Sequence, residues 1–212
     1  MRRSGTPERQ THFSMLRGFH LADLFTLANA ACGTMALFVV IAYVETGDVR
    51  RLLWATALIP VALAFDVLDG RIARGRRKHS VMGRELDSLA DVISFGVAPA
   101  VIAYGAGMRG LWDQAILVYF VACGVSRLAR FNITAADLSG GGNSVKYFEG
   151  TPIPSSVVLA GVVAGLAWAG RVGDTLVLGA VQLGPGQLHP LTLLWAVSGS
   201  LMISKTIRIP KI

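Results

Sequence analysis

Residues 52–91 read LLWATALIPVALAFDVLDGRIARGRRKHSVMGRELDSLAD. Two features of this stretch conflict in an ordinary soluble chain. The part from Leu52 to Phe65 is apolar enough to make most of a bilayer crossing, yet it runs straight into Asp66 and Asp69, and the next apolar stretch opens with Asp87 and Asp91. A span needs about 20 mostly apolar residues. A charge inside one costs about 2.5–3.5 kcal/mol on insertion scales, so such charges usually face a cavity and carry function. Spacing fixes their placement. Asp66 and Asp69 are three apart and Asp87 and Asp91 four apart, so each pair shares one face of its helix. The basic connection through Arg74, Arg76, Arg77 and Lys78 turns the chain back. Both pairs then fall at the same end of two antiparallel helices. Gly70, Ala73 and Gly83 lie beside the acids and leave room for something bulky against the backbone.

The rest of the 212-residue chain has the same character. Hydrophobic residues make up 53% and charged residues 16%, against about 25% charged in soluble domains, and mean hydropathy is +0.55. So few charges cannot cover a soluble surface, which argues against a soluble enzyme, a disordered chain or a nucleic-acid-binding domain. Six stretches are long enough to cross a bilayer: 21–44, 52–74, 84–106, 111–131, 153–172 and 188–207. The reading is an all-α integral membrane protein with six transmembrane helices and both termini cytoplasmic. Residues 21–212 form the membrane domain. Residues 1–20 are a basic juxtamembrane segment, either an amphipathic helix on anionic lipid or an unstructured tail, and not a cleavable signal. Residues 132–152, with three consecutive glycines, read as a flexible loop, and 175–183 is too short to span and belongs to the last outer loop.

Cation placement tests this layout independently. Arg2, Arg3, Arg9, Arg17, Arg71, Arg74, Arg76, Arg77, Lys78, Arg84, Arg127, Arg130, Lys146, Lys205, Arg208 and Lys211 fall on one side, sixteen in all; Arg50, Arg51, Arg109 and Arg171 fall on the other. The net charge of +7 therefore reads as membrane topology beside anionic lipid, with no nucleic-acid partner implied. Tyr43, Trp54, Tyr104, Trp112 and Trp168 are expected near the outer ends as an interfacial belt.

Four carboxylates brought together cannot all stay ionised without cations. All-oxygen ligation suits Mg²⁺, Mn²⁺ or Ca²⁺. Mg²⁺ typically arrives with substrate phosphates, and the neighbouring arginines are the residues a phosphate would need. Carboxylates, divalent metal, phosphate and membrane together point to chemistry on a phosphorylated lipid precursor. The competing structural reading is that the acids pair with those arginines at a helix end.

The pattern Asp66, Asp69, Gly70, Ala73, Arg74, then Gly83, Asp87 and Asp91 resembles the signature of the CDP-alcohol phosphotransferase family, with all eight specified positions present. Asp87–Pro99, Arg127–Asn132, Phe148–Pro154 and the ending from Met202 to Arg208 are similar to one branch of it, the integral-membrane phosphatidylserine synthases. The first span of the family often opens Pro-Asn-x-x-Thr; here it reads Ala22-Asp23-Leu-Phe-Thr26, so the local turn departs while Thr26 and Asn29 survive. The resemblance implies that Asp66, Asp69 and Asp87 hold one or two divalent ions, Mg²⁺ or Mn²⁺, across the diphosphate of CDP-diacylglycerol. It implies that Asp91 is the general base and also touches a metal. It implies that Thr26, Asn29, Gly70, Ala73, Arg74, Gly83 and Ser88 meet the CDP-lipid. The implied reaction joins CDP-diacylglycerol to L-serine with release of CMP, in a homodimer of the bacterial inner membrane whose site faces the cytoplasm.

If serine is the acceptor, its carboxylate calls for a guanidinium. Arg127 and Arg130 stand at the cytoplasmic end of the fourth span with Asn132 close behind; together with Thr151 they are the candidate serine-binding residues. Topological anchoring is the alternative for the two arginines. Thr151, Ser155 and Ser156 begin the fifth span, where an N-capping role is expected ahead of anion binding. Gly161-x-x-x-Gly165 is expected to pack helices within the chain. Cys32 and Cys123 read as free thiols, and no histidine shows ligand spacing. Alternative acceptors are glycerol 3-phosphate and inositol phosphate, for which Arg127, Arg130 and Lys146 supply cations. A small ion-coupled transporter would need acids spread through the bilayer and repeated halves, and a silent scaffold would tolerate a missing acid; neither pattern is present.

Overall fold

The computed structural model describes residues 21–75, 81–139, 147–204 and 208–210. The juxtamembrane segment expected at 1–20 lies outside them, as do Arg76, Arg77, Lys78, Lys146, Lys205 and Lys211, and side chains are not described at Ala73 and Arg74. The described chain is mostly helical: α1 (Leu21–Thr46), α2 (Val49–Gly75), α3 (Val81–Asp91), a π-helical turn (Val92–Val97), α4 (Ala98–Gly105), α5 (Leu111–Ser139), α6 (Val157–Trp168) and α7 (Leu193–Ile203). Four helical segments are long and apolar enough to cross a membrane: Ala22–Thr46, Val49–Ile72, Met82–Gly105 and Leu111–Ile133. The fifth and sixth expected spans are shorter apolar helices, Ile153–Trp168 and Pro190–Ile203.

The buried face of α1 follows a heptad-like stripe through Thr26, Asn29, Gly33, Ala36, Val40 and Tyr43. Leu52, Ala55, Ile59, Ala62 and Asp69 are the buried stripe of α2, and Asp66 falls on the same line. Small residues let these two helices approach closely, as membrane helices do where lipid is as apolar as any side chain. The outward face is the greasier one: Phe38, Trp54, Val118 and Trp168 are all well exposed. Trp54, Tyr104, Trp112 and Trp168 point outward as a belt would, but Tyr43 does not: it is 8% exposed and packs in the core, because it continues the inward stripe of α1.

Gly33 sets the distance between α1 and the π turn. A Cβ there would lie 2.7 Å from the Ser94 Cα, while the Ser94 hydroxyl donates to the Asn29 carbonyl at 2.8 Å. The π turn has a local cause. Pro99 has no N–H, and its ring would crowd the carbonyl four residues back in a regular helix. The wider turn lets the Ala98 N–H reach the Ile93 carbonyl instead.

Two small ribbons close the bundle ends. Strands β1 (Tyr147–Glu149) and β4 (Arg208–Pro210) pair antiparallel beside the end that carries the acids. At Gly150, φ is +75°, a left-handed conformation that favours glycine. A Cβ there would also meet the Met202 carbonyl. At the other end β2 (Val181–Leu183) and β3 (Gly186–Leu188) form a hairpin. Asp113, fully buried at the start of α5, anchors it. Its carboxylate accepts from the Gly110 N–H at 2.9 Å, the His189 N–H at 2.8 Å and the Thr192 hydroxyl at 2.8 Å, and lies 2.6 Å from His189 Nδ1.

Three local expectations are corrected. Helix α5 continues to Ser139, into the stretch read as a loop. Gly161 and Gly165 are exposed, and a Cβ at either would meet nothing within 4 Å, so they pack against no helix among the described residues; Leu159, Ala160, Val163 and Ala167 fill the core instead. Ser156 occupies the N-cap position of α6 without a side-chain capping bond. Cys32 and Cys123 are free thiols.

Candidate functional site

The stripe that packs α2 against α1 ends in carboxylates. Asp69 is 5% exposed and Asp91 7%. Buried acids need hydrogen bonds or opposite charge. Helix α1 supplies the first. The Thr26 hydroxyl lies 2.7 Å from Asp69 Oδ2, to which it donates, with the Ala22 carbonyl also within 3.2 Å. The Asn29 amide donates to Asp91 Oδ1 at 3.2 Å. Thr26 and Asn29 are three apart, so one face of α1 steers an acid from each of the next two helices.

Carboxylate oxygens of Asp66, Asp69 and Asp87 lie within 4.8 Å of one another, and Asp87 Oδ1 is buried with no hydrogen-bond partner. Among the described residues no lysine or arginine forms a salt bridge with any of the four acids; the side chains of Arg74, Arg76, Arg77 and Lys78, named in the salt-bridge reading, lie outside them. Three converging carboxylates with an orphaned oxygen are a hard, all-oxygen donor set, and they fit a divalent cation. Asp91 stands outside that grouping.

Beside Asp87 and Asp91 opens a cavity of about 280 Å³, lined also by Arg84, Ser88, Arg127, Leu128, Phe131, Asn132 and Pro152. Arg127 Nε is buried there without a partner. A larger hollow at the hairpin end, lined by Trp112, Ile116 and Leu183 among others, offers no titratable group. Of the four residues expected to bind serine, Arg127 and Asn132 line the cavity. Arg130 is exposed and outside the lining, and the Thr151 N–H donates to the Leu201 carbonyl at 3.2 Å. Gly70 and Gly83 lie on α2 and α3 at the acid end, and Ser88 joins the wall. Sequence reasoning counted Arg84 only as a topological charge and passed over Phe131. The i, i+3 relation of Arg84 to Asp87 was the available signal for the first.

Residues 19–197 match the family described as CDP-alcohol phosphatidyltransferase. The chain belongs to that family. Across the family's span it carries the four acids, the α1 stripe that holds them and the cavity beside them. Among curated relatives, the CDP-diacylglycerol–serine O-phosphatidyltransferase of Saccharomyces cerevisiae is 43% identical over 207 residues, covering 94% of this chain and 74% of that protein. The archaetidylserine synthase of Methanothermobacter thermautotrophicus is 41% identical over 142 residues, covering 65% of this chain and 54% of its own length. A CDP-diacylglycerol–serine O-phosphatidyltransferase of Helicobacter pylori is 41% identical over 140 residues, with the same coverages. The alignments thus take in about half the length of the latter two.

Proposed function

We propose that this chain is a CDP-diacylglycerol–serine O-phosphatidyltransferase. The observation that carries the reading is a cavity beside Asp91 that holds the Arg127 guanidinium, its Nε buried without a hydrogen-bond partner, next to three converging carboxylates. The yeast relative's name and its near-full coverage of this chain support serine as the acceptor.

Asp66, Asp69 and Asp87 would hold the cation, Mg²⁺ or Mn²⁺; bound there, it supplies charge neutralisation for the donor diphosphate and the departing CMP. The chain's own residues do the rest. Thr26 orients Asp69 and Asn29 orients Asp91. Asp91 takes the proton of the serine hydroxyl as that oxygen bonds to the lipid-linked phosphorus. The bond from phosphorus to the CMP oxygen breaks, and CMP leaves with its electron pair. Arg127 holds the serine carboxylate, and the Leu128, Phe131 and Pro152 walls limit water around the reacting atoms.

The layout is read as six crossings with both termini and the acids on the cytoplasmic side of the inner membrane, residues 21–212 forming one membrane domain. The outward Gly161–Gly165 face of α6 suits contact with a second copy in a homodimer. The deciding test supplies purified protein with CDP-diacylglycerol and Mn²⁺ or Mg²⁺, and offers serine, glycerol 3-phosphate and inositol phosphate separately. CMP release with serine alone is expected. Release only with a phosphorylated alcohol would overturn the serine assignment. The archaetidylserine relative makes an ether-lipid CDP donor the second arm of that assay.

A further inference from the structure

The cavity has one wall whose polarity is set from outside it. Asn132 enters from α5, and α3 holds its side-chain amide at both ends. The Ser88 hydroxyl donates to Asn132 Oδ1 at 3.1 Å, and Asn132 Nδ2 donates to Glu85 Oε2 at 3.2 Å. Glu85 and Ser88 are three apart, so they share a face of α3. Ser88 and Asn132 line the cavity; Glu85 is exposed and does not.

The two ends of an amide have the same shape, and only their partners decide which is which. A carboxylate has no proton to give. The end of Asn132 that meets Glu85 is therefore the NH₂, and the end beside Ser88, on the lining, is the carbonyl oxygen. That oxygen has a second lone pair after accepting from Ser88. Arg127 Nε, buried and without a partner, supplies a donor to the same cavity. One group suits an ammonium and the other a carboxylate. With the amide turned over, the wall would present N–H groups together with Arg84 and Arg127, and would suit an anionic acceptor such as a phosphorylated alcohol.

We propose that Glu85 is a specificity-determining positioning residue: by fixing the Asn132 amide with its oxygen toward the cavity, it selects an acceptor alcohol that carries an ammonium group. This rests on the serine reading above and names the residue that sets it. Glu85 touches no substrate and acts through Asn132.

The test compares the full-length protein with Glu85→Gln and Glu85→Leu, using CDP-diacylglycerol and Mn²⁺. Serine is the acceptor. Glycerate, which keeps the hydroxymethyl and carboxylate groups but has a hydroxyl in place of the ammonium, is the competitor. Glutamine can donate as well as accept, so it frees the amide to turn over; leucine removes the contact. Both variants are expected to raise the KM for serine about tenfold, the worth of one hydrogen bond, with kcat within about threefold. The ratio of the glycerate inhibition constant to the serine KM is expected to fall by a similar factor. An unchanged serine KM in both variants overturns the proposal. So does a raised KM with that ratio unchanged, which is the mark of a merely structural role. A wild-type protein that releases no CMP with serine overturns the serine reading itself, and this inference with it.

Discussion

One hydroxyl from α1 helps to hold an acid of the site. Thr26 Oγ1 stands 2.7 Å from Asp69 Oδ2 inside the bundle, and hydrogen bonds to charged groups contribute about 1.5–3 kcal/mol. Thr26→Val keeps the shape and removes the bond. Its expected effect is a rise of about tenfold or more in the Mn²⁺ or Mg²⁺ concentration needed for half-maximal activity, with a smaller change at saturating metal. A metal titration of CMP release checks this, and an unchanged midpoint would show that the hydroxyl is not steering Asp69. Asp91 is a different case. It lies outside the three-acid grouping and borders the cavity proposed to take the acceptor. Asp91→Asn preserves size and the Asn29 neighbour while removing the proposed base, so kcat should fall by about 10²–10⁴ while thermal stability is kept. Full activity in that variant would remove the assignment. The four acids were legible in the sequence because a charge inside an apolar stretch is costly and is kept where function needs it. The roles of Thr26 and Asn29 as their partners were not, since nothing local in α1 says which acid lies across from it.

At the scale of elements, the readable signal in α1 and α2 was inverted relative to a soluble helix. Both are apolar all round, so periodicity in hydrophobicity could not mark the buried face. The buried stripes mix large apolar residues with small and polar ones: Thr26, Asn29, Gly33, Ala36 and Val40 on α1, and Leu52, Ala55, Ile59, Ala62 and Asp69 on α2. The π turn after Asp91 has a cause in Pro99 that the sequence contained, but the choice of a wider turn over a kink depends on packing against Gly33. That crossing is testable. Gly33→Ala puts a methyl group 2.7 Å from the Ser94 Cα, and overpacking costs about 1–3 kcal/mol. We expect a lower Tm and reduced turnover together, because the same crossing carries the Asn29–Asp91 bond; a Tm equal to that of the parent would mean the helices part without strain. At the far end, His189 showed no motif spacing, and its partner lies 76 residues away. Asp113→Ala leaves His189 and Thr192 without that carboxylate and opens a cavity at the base of the hairpin. Breaking such a buried network costs about 3–5 kcal/mol. The expected result is a large drop in Tm in detergent, with the metal midpoint unchanged in protein that remains folded.

The whole molecule poses a question of height. Segments Ile153–Trp168 and Pro190–Ile203 would rise only about 24 and 21 Å as helices, short of a hydrocarbon core of about 30 Å. Their ends nevertheless reach both ends of the bundle. Just before the first of them, the Thr151 N–H bonds to the Leu201 carbonyl at the end of α7. Just after it, the Gly173 N–H bonds to the Ala106 carbonyl at the end of α4. Just before the second, His189 meets Asp113 at the start of α5. On the proposed layout each of these segments crosses, its non-helical flanks supplying the missing length. Six crossings, as proposed, would put the 47–48, 106–110 and 169–189 turns on one side and residues 76–80 on the other, the arrangement expected from the cation placement. With Cys32 and Cys123 replaced by alanine, single cysteines at Asp48, Asp174 and His79 read this directly. An impermeant maleimide applied to intact cells should label Asp48→Cys and Asp174→Cys, and His79→Cys only after permeabilisation. Labelling of His79→Cys and Asp174→Cys from the same side would mean that the short fifth helix turns back within the membrane. In that case the cavity proposed for the acceptor, walled by Pro152 just ahead of that helix, would need another means of holding its outer wall in place.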